Sequence, residues 1–344
     1  MGSVKDLVVR QHPSPQEMGS GAFVFSDRYS VFDWGEMPDH VPNKGSSLCL
    51  MSAYFFAQLN QSGIRTHYTG LDGNHAMNVH LVNVVKPGVL AGGYDYSSFR
   101  SMQGNFVIPF EIIYRNTLPK GSSVFKRLRE GSLSLLSMGL TEQPGEGDPL
   151  PRMFPDISTK YEAFDRYPDE RKGESRAAFL RDLGGLSEEE AVMIDCITKE
   201  ANKVITDGIG HAGLRNDDGK LEFAFTPERD LMVVDAIGTL DECRFTYPAG
   251  GRRIEVSKEI PRQWYRYRQP EWVAEVEAAK STGNAEWRAL VTQKPEPLPP
   301  RLLELLGMAY ASSANAVLGK DVFDCPPLDT VVREYQRFKE IEMK

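Results

Sequence analysis

Cysteine is scarce in this sequence, and the few cysteines lie far apart. They occur at positions 49, 196, 243 and 325 of 344 residues, and no CxxC pair is present. Structural zinc sites and disulfide frameworks usually show closely spaced cysteines, so the sequence predicts neither. Isolated cysteines in a chain of this length are typical of a reducing compartment, and we expect a cytoplasmic protein.

Long apolar runs and excess positive charge are absent as well. No stretch approaches the roughly 20 apolar residues of a membrane span, and the opening MGSVKDLVVRQHP has charges around an apolar run too short for a signal peptide. The net charge is −8, which disfavours nonspecific binding to nucleic acid or to anionic membranes. We therefore expect small-molecule partners, no nucleic acid and no membrane, while the charge leaves a homo-oligomer open.

The familiar nucleotide and catalytic motifs are also missing. The segment GLRNDDGKL, residues 213–221, has one residue too many for a Walker motif and no Ser or Thr after its lysine. The glycines of GSGAFVF, residues 19–25, are typical of a turn before a strand. His75 and His80 face opposite sides of a strand pattern, so they do not predict a shared metal. No Ser-His-Asp or Cys-His arrangement stands out.

The chain divides into a strand-rich first part and a mixed remainder, and its length allows about two domains. Residues 1–110 read as strands interrupted by a helix at 46–63, whose apolar residues recur at helical spacing. We predict an α+β fold with domains 1–110 and 111–344. Predicted elements of the second domain are a polar, Pro-rich connection at 141–157, a helix at 186–206, the hairpin KLEFAFT–DLMVVDAIG, and closing helices at 301–316 and 327–342.

The hairpin carries the clearest chemical signal. Residues two apart in a strand face the same side, so Lys220 and Glu222 share a face, and Asp218 joins them if the strand begins there. Asp235 lies on the partner strand. Two carboxylates and a lysine suit a Mg²⁺–phosphate site, because Mg²⁺ is held by one or two carboxylates and substrate phosphates. Spacing alone favours the simpler interpretation, a solvated polar strand face.

Further charged and polar groups follow other predicted strands. They are Arg115, Lys120, Ser122, Lys160, Glu162, Asp165, Asp241 and Arg244. Arginine forks match phosphate and carboxylate oxygens. Taken singly, each charged group of this set is more often part of a surface ion pair, so the set does not identify a ligand by itself.

Taken in order, several segments resemble one family. They are GSVKDLV at 2–8, SDRYSVFD at 26–33, MPDHVPNKGSSLCLMSAYFF at 37–56, FEIIYRNTLPKGSSVFKRL at 110–128, STKYEAFD at 158–165, DGKLEFAF at 218–225, VVDAIGTLDECRF at 233–245 and the closing LPPRLLELLGMAYASSANAVLG at 298–319. They resemble the SAICAR synthetases, the phosphoribosylaminoimidazole-succinocarboxamide synthases of purine biosynthesis. The resemblance implies a two-lobed fold with a kinase-like ATP-binding cleft between the lobes.

The family's reaction joins the carboxylate of the ribonucleotide CAIR to the amine of L-aspartate, using ATP, and yields SAICAR, ADP and phosphate. The resemblance implies that Lys5 meets the ATP phosphates, that Glu222 and Asp235 hold Mg²⁺, and that the substrates meet a larger set of residues. Arg115, Ser122 and Arg244 would bind the nucleotide and its 5′-phosphate, and Lys160 and Asp165 would line the substrate pocket. Lys220, Asp218 and Asp241 would be the catalytic groups of this pocket. Asp33 would lie at its rim, together with Asp27, Arg28 and Ser30.

The sequence also departs from the family pattern. Ser3 stands where the family has lysine, Ala236 replaces an acidic residue, Glu242 and Cys243 replace two serines, and residues 246–295 have no counterpart that we can place. A related ligase with another carboxylate or amine, a small-molecule kinase and an inactive nucleotide-binding protein remain alternatives. An amine requirement for ADP release separates a ligase from a kinase. Convergent charges at Lys220, Glu222 and Asp235 disfavour an inactive protein, since such charges are costly.

Overall fold

The computed structural model describes residues 4–90, 93–162, 165–284 and 286–344, so Ser3 lies outside the described residues. Its strands are β1 Lys5–Gln11, β2 Gly19–Phe25, β3 Tyr68–Leu71, β4 Ala76–Leu81, β5 Gly88–Leu90, β6 Gly93–Asp95, β7 Phe106–Val107, β8 Phe110–Thr117, β9 Pro149–Thr159, β10 Arg215–Phe225, β11 Leu231–Val234, β12 Cys243–Ala249 and β13 Arg252–Glu255. Its α-helices are α1 Lys44–Gln61, α2 Ser123–Glu130, α3 Arg176–Gly184, α4 Glu188–His211, α5 Glu259–Arg268, α6 Pro270–Ser281, α7 Pro300–Leu318 and α8 Leu328–Glu342.

The first sheet is antiparallel and has the strand order β1-β2-β4-β3. Helix α1 covers one of its faces and also packs against α4 and α7. Met51, Phe55, Phe56 and Leu59 of α1 are fully buried. A helix that is apolar on nearly all sides is a core element, and α1 joins the first sheet to the rest of the molecule.

The second sheet has the order β13-β12-β10-β8-β9, and β11 and β7 pair with the far end of β10. Leu221, Phe223 and Phe225 of β10 are buried in the main core. The alternate residues Lys220 and Glu222 face the other side. Helix α4 packs against the apolar face of β8 and β10. The opposite, polar face of this sheet is therefore the one that faces the first sheet.

Several sequence-based predictions of elements are confirmed. Helix α1 and the closing helices α7 and α8 form where predicted, and α4 begins after Ser187, which forms a capping box with Glu190. The predicted hairpin pairs β10 with β11, with Glu222 opposite Val234. Helix periodicity, caps and β-branched runs act over a few residues, which explains why the sequence predicts these elements well.

Other predictions were wrong. The connection predicted at 141–157 contains most of β9, an edge strand that pairs with β8; prolines are tolerated at such an edge because its outer N–H groups need no partner. The glycines of GSGAFVF lie within β2 rather than in a turn. A Cβ at Gly21 would lie 2.5 Å from the carbonyl oxygen of Val8, so glycine is required there by the close approach of β1.

The segment after β12 is built around tryptophan. The ring centroids of Trp34 and Trp272 are 5.6 Å apart, and those of Trp34 and Trp287 are 6.2 Å apart. Arg288 donates to the backbone oxygen of Trp34 at 2.8 Å. These contacts attach α6 and the residues after it to the charged turn at 26–45. The domain boundary at 110/111 stays a prediction. No helix in the described ranges is long and apolar enough to cross a membrane.

Candidate functional site

Charged side chains from both sheets meet at the β10–β11 hairpin. Lys5 of β1 lies 2.6 Å from Asp235, measured from Nζ to Oδ1. Lys160, directly after β9, forms an ion pair with Glu222 of β10. The sequence predicted that these four residues share a site, and the fold brings them together from three separate parts of the chain.

The backbone of Asp235 is unusual, and it is held in place by a buried histidine. Asp235 follows β11 with φ of 71°, in the left-handed region that non-glycine residues rarely adopt. Nε2 of His67 lies 3.1 Å from the backbone oxygen of Asp235. Burial lowers the pKa of His67 to about 4, so the imidazole is neutral at pH 7. Strained residues of this kind are often found at functional sites.

Lys220 lies at the centre of the polar face. Its Nζ is 2.7 Å from Glu111, 3.7 Å from Glu222 and 3.3 Å from Glu242. Burial by itself lowers the pKa of Lys220, but the nearby Glu242 and Glu111 outweigh burial and raise it well above its ordinary value. The prediction that Lys220 and Glu222 share a face is confirmed. Glu242 points at Lys220, which neutralises the extra negative charge at this position.

Glu222 and Asp235 differ in how their charges are balanced. Burial and the neighbouring Asp235 raise the pKa of Glu222. Burial also acts to raise the pKa of Asp235, but Lys5, Lys160 and Lys220 outweigh it and lower that pKa. Neighbouring carboxylates among ammonium groups fit a divalent cation that is bound together with an anionic ligand. In the described part of the chain, no group of three or more acidic, His or Cys side chains is arranged to hold a metal.

An arginine pair lies farther along the same face. Asp218 accepts from Arg115 Nη1 at 3.1 Å and from Arg244 Nε at 2.7 Å. Arg115 also donates to Asp156 at 3.0 Å and to the hydroxyl of Ser123 at 3.2 Å. Both arginines are therefore held by carboxylates, which fix the positions of their guanidinium groups in the absence of a ligand.

The N-terminus of helix α2 lies beside this pair. Ser122 is its N-cap and accepts a hydrogen bond from the backbone N–H of Val124. Because Ser123 touches Arg115, the positive end of the α2 dipole adds to the two guanidinium groups. Backbone N–H groups at a helix N-terminus bind phosphate readily, so Arg115, Arg244 and the start of α2 together could hold an anion.

Asp241 has a different setting from the other predicted catalytic residues. Lys44 Nζ lies 2.7 Å from its Oδ2, and the hydroxyl of Tyr310 donates to its Oδ1 at 2.6 Å. Lys44 is fully buried. Both carboxylate oxygens of Asp241 thus have partners in the core between α1 and α7. Its predicted role in catalysis stays a prediction.

A polar cavity of about 450 Å³ lies next to Lys220 and Asp241. Lys258 and Arg262, at the start of α5, contribute positive charge to its wall. Within the described residues, the side chain of Lys258 makes no hydrogen bond or ion pair. Burial and the nearby Arg262 lower the pKa of Lys258. The sequence analysis missed both residues, although a basic pair spaced four apart at a helix start could have been noticed.

The remaining predicted residues lie at the edges of the site. Asp33 lines the same cavity and pairs with Lys280. Asp165 accepts from the hydroxyl of Tyr167 at 3.3 Å, and burial together with Glu111 raises its pKa to about 6. The three further rim residues have partners within the chain. Asp27 accepts a hydrogen bond from the N–H of Gly45, and Ser30 accepts one from the N–H of Gly35. Arg28 forms an ion pair with Asp6.

An apolar surface adjoins the carboxylates. Ala224, Met232 and Val234 of the hairpin form a small cluster with Val82 and Val107. Glu222 pairs with Val234 and Ala224 with Met232, so the cluster continues the face that bears Glu222. On β1, Leu7 and Val9 share the face of Lys5 and are 49% and 38% exposed. Apolar surface is therefore present on both elements that the Lys5–Asp235 ion pair joins.

A larger cavity, of about 820 Å³, lies elsewhere, between β9, α3 and α4. Asp156 and Arg127 reach its wall, but Lys5, Lys220, Glu222 and Asp235 do not. Of these four residues, Lys220 lines the smaller polar cavity, and Glu222 lies next to Lys220.

Comparisons with known proteins show which family the sequence resembles. The family model described as SAICAR synthetase matches residues 9–279, so the match includes the first part of the segment 246–295. A relative from Archaeoglobus fulgidus, provisionally named phosphoribosylaminoimidazole-succinocarboxamide synthase, is 41% identical over 353 residues, covering 99% of this chain and 100% of the relative.

Solved structures show the same fold. The SAICAR synthase of Saccharomyces cerevisiae complexed with SAICAR is similar at a TM-score of 0.63 and 18% identity, covering 94% of this chain and 95% of that one. A SAICAR synthetase (type 2) in complex with ADP is similar at a TM-score of 0.52 and 21% identity, covering 86% and 99%. The α+β fold predicted from the sequence is confirmed.

Proposed function

The chain belongs to the SAICAR synthetase family, and we propose that it joins the carboxylate of CAIR to the amine of L-aspartate with ATP, yielding SAICAR, ADP and phosphate. The observation that carries this proposal is the meeting of Lys5–Asp235 and Lys160–Glu222 beside the arginine pair on Asp218. One site thus offers places for a triphosphate and for a phosphorylated substrate, within reach of the same lysines.

ATP lies between the two sheets in this proposal. The adenine fits between the exposed Leu7 and Val9 and the apolar surface of the hairpin, and Lys5 meets the phosphates. Glu222 and Asp235 would hold Mg²⁺, which neutralises phosphate charge and favours phosphoryl transfer when bound. A similar solved structure is in complex with ADP, which supports the binding of ATP.

CAIR binds through its 5′-phosphate at Arg115, Arg244 and the start of α2. Asp156 and Asp218 hold the guanidinium groups in place, so little side-chain ordering is needed on binding. Bidentate arginine contacts to phosphate are strong and directional. This fixes one end of the nucleotide and places its carboxylate toward Lys220 and Lys160.

The residue types suit the chemistry. A carboxylate is a poor electrophile until ATP converts it to an acyl phosphate, whose carbonyl carbon the amine then attacks as phosphate leaves. Lys160 and Lys220 are positioned to stabilise the negative charge on the transferring phosphoryl group and on the carbonyl oxygen. Holding both reactants in one site supplies much of the remaining rate.

L-Aspartate occupies the cavity of about 450 Å³. Lys258 and Arg262 bind its carboxylates, since Lys258 makes no ion pair within the described ranges. The cavity borders Lys220, so the amine faces the activated carboxylate. A cytoplasmic location, where ATP is abundant, suits the four free cysteines.

The test is ADP release with ATP and Mg²⁺, adding CAIR and L-aspartate singly and then together. The proposal expects ADP only when both are present, together with a product of the mass of SAICAR. ADP release with CAIR alone, at the same rate, would identify a kinase instead. No turnover with both substrates, despite ATP binding, would overturn the proposed reaction.

A further inference from the structure

Glu255 of β13 lies on the same face of the second sheet as the proposed phosphate site. It pairs with Thr246 of β12, and Arg244 of β12 pairs with Asp218. Directly opposite residues in an antiparallel pair share a face, and so do residues two apart in one strand. Glu255 therefore lies diagonally next to Arg244, on its side of the sheet.

Two polar atoms at this place are buried and have no hydrogen-bond partner within the described residues. They are Oε2 of Glu255 and the hydroxyl oxygen of Tyr335 on α8. Tyr335 is only 3% exposed. Nearly all buried polar groups in proteins have a partner, and leaving one unpaired is costly. A pair of such atoms beside an anion site indicates groups that complete their hydrogen bonds on a ligand.

Other charged groups around Glu255 come from every neighbouring element. They are Asp217 and Asp218 of β10, Arg244 of β12, Arg253 of β13, Glu259 of α5, Lys339 of α8, and Lys120 of the loop before α2. The nearest acids already have cationic or hydroxyl partners: Asp217 contacts Arg253 and Thr246, and Glu259 contacts Arg262 and Arg266. Glu255 has no such ion pair in the described parts of the chain.

This setting keeps Glu255 neutral at pH 7. Burial, together with the nearby Glu259 and Asp217, raises the pKa of its carboxyl to about 8, against the opposing effect of Arg244. A neutral carboxylic acid donates one hydrogen bond, whereas a carboxylate can only accept. A phosphate ester offers only acceptors once it is fully ionised, so the neutral acid suits it and the carboxylate repels it.

We propose that Glu255 and Tyr335 complete the binding site for the 5′-phosphate of the nucleotide substrate, and that Glu255 makes this binding depend on its own protonation. The inference rests on the proposed function, since it takes CAIR as the nucleotide. Both residues donate to phosphate oxygens that Arg115 and Arg244 leave free. Above the pKa of Glu255, the ionised carboxylate opposes the phosphate.

The test is CAIR affinity, measured by calorimetry from pH 6.5 to pH 9.5 for the wild type, Glu255→Gln and Tyr335→Phe. For the wild type we expect affinity to fall about tenfold between pH 7 and pH 9, since one pH unit above a pKa leaves about a tenth of the acid protonated. The phosphate itself loses its second proton near pH 6 and contributes little above pH 7.

Glu255→Gln should remove this pH dependence and keep the affinity of the wild type at pH 7, because the amide is always a donor. Glu271→Gln, an exposed change on α6, should leave the wild-type profile intact. Tyr335→Phe should weaken the binding of CAIR at every pH, while the melting temperature of the variant stays close to that of the wild type. Identical pH profiles for the wild type and Glu255→Gln would overturn the role of Glu255 alone. Failure of the wild type to bind CAIR at pH 7 would overturn the proposed function, and this inference with it.

Discussion

Lys5 and Asp235 connect the two sheets at the point where ATP is proposed to bind. Their Nζ and Oδ1 atoms are 2.6 Å apart. Lys5 belongs to the edge strand of the first sheet, and Asp235 follows the last strand of the hairpin. The ion pair therefore sets the distance between the apolar surface of β1 and that of the hairpin, and it places a positive charge beside a proposed metal ligand.

Replacing Lys5 with methionine should weaken the binding of ATP. The ammonium group lowers the pKa of Asp235 and is proposed to contact the phosphates, so we expect the KM for ATP to rise about tenfold or more. Initial rates at varied ATP measure this. Lys86→Met, at an exposed lysine, is the matched control. If the KM for CAIR rose as much as that for ATP, Lys5 would not be specific to the ATP phosphates.

Glu222→Gln should remove Mg²⁺-dependent turnover and leave the fold intact. The amide keeps the shape of the side chain but loses the charge that a divalent cation needs, so kcat should fall by at least about 100-fold. Turnover at varied Mg²⁺ and a thermal melt are the two measurements. The exposed Glu228 on the hairpin turn gives the control Glu228→Gln. Activity near that of the wild type would exclude Glu222 as a ligand.

Arg244→Ala should weaken the binding of CAIR far more than the binding of ATP. The guanidinium group is held on Asp218 and aims at the proposed phosphate, so we expect CAIR affinity to fall about 100-fold. Equilibrium binding of each ligand separately gives the comparison, with the exposed Arg252→Ala as control. Equal losses for CAIR and ATP would contradict the assignment of this site to the nucleotide phosphate.

Lys258→Met should raise the KM for L-aspartate. Removing one charged hydrogen-bond donor from a carboxylate typically costs a factor of about ten or more, and the effect on ATP and CAIR should be small. Steady-state kinetics with each substrate varied in turn measures the three constants. The exposed Lys320→Met should match the wild type. An unchanged KM for L-aspartate would remove Lys258 from the amine site.

Lys44→Met should destabilise the protein rather than change its chemistry. It leaves the carboxylate of Asp241 buried without its cation, which typically costs about 3–5 kcal/mol. Denaturant unfolding measures the free energy. The double variant with Asp241→Leu should lose less, because no buried charge remains. If Asp241→Asn instead abolished turnover at wild-type stability, Asp241 would be a catalytic group as the sequence predicts.

Local signals explain most of what could be predicted about the site. The face shared by Lys220 and Glu222 follows from the two-residue period of a strand, and the hairpin that brings Asp235 close follows from two β-rich runs joined by a short turn. The order of the charged segments resembles one family, and the family match confirms that prediction. Each signal extends over at most a few tens of residues.

Long-range contacts explain what the sequence analysis missed. Lys44 and Asp241 are 197 residues apart in the chain, and no local pattern indicates that they pair. Lys258 and Glu255 belong to the segment 246–295, which had no counterpart in the sequence analysis. Their surroundings depend on the packing of α5 and α8 against the second sheet.

The sequence by itself determined helices α1, α4, α7 and α8, the hairpin, the family and the charged residue types, because periodicity, capping and motif order are properties of neighbouring residues. Only the tertiary structure decided which charges meet. Strand order and helix packing set the distance between Lys5 and Asp235, and they also place Tyr335 next to Glu255. Burial and neighbouring charges then set the pKa of each group, and both exist only once the whole chain has folded.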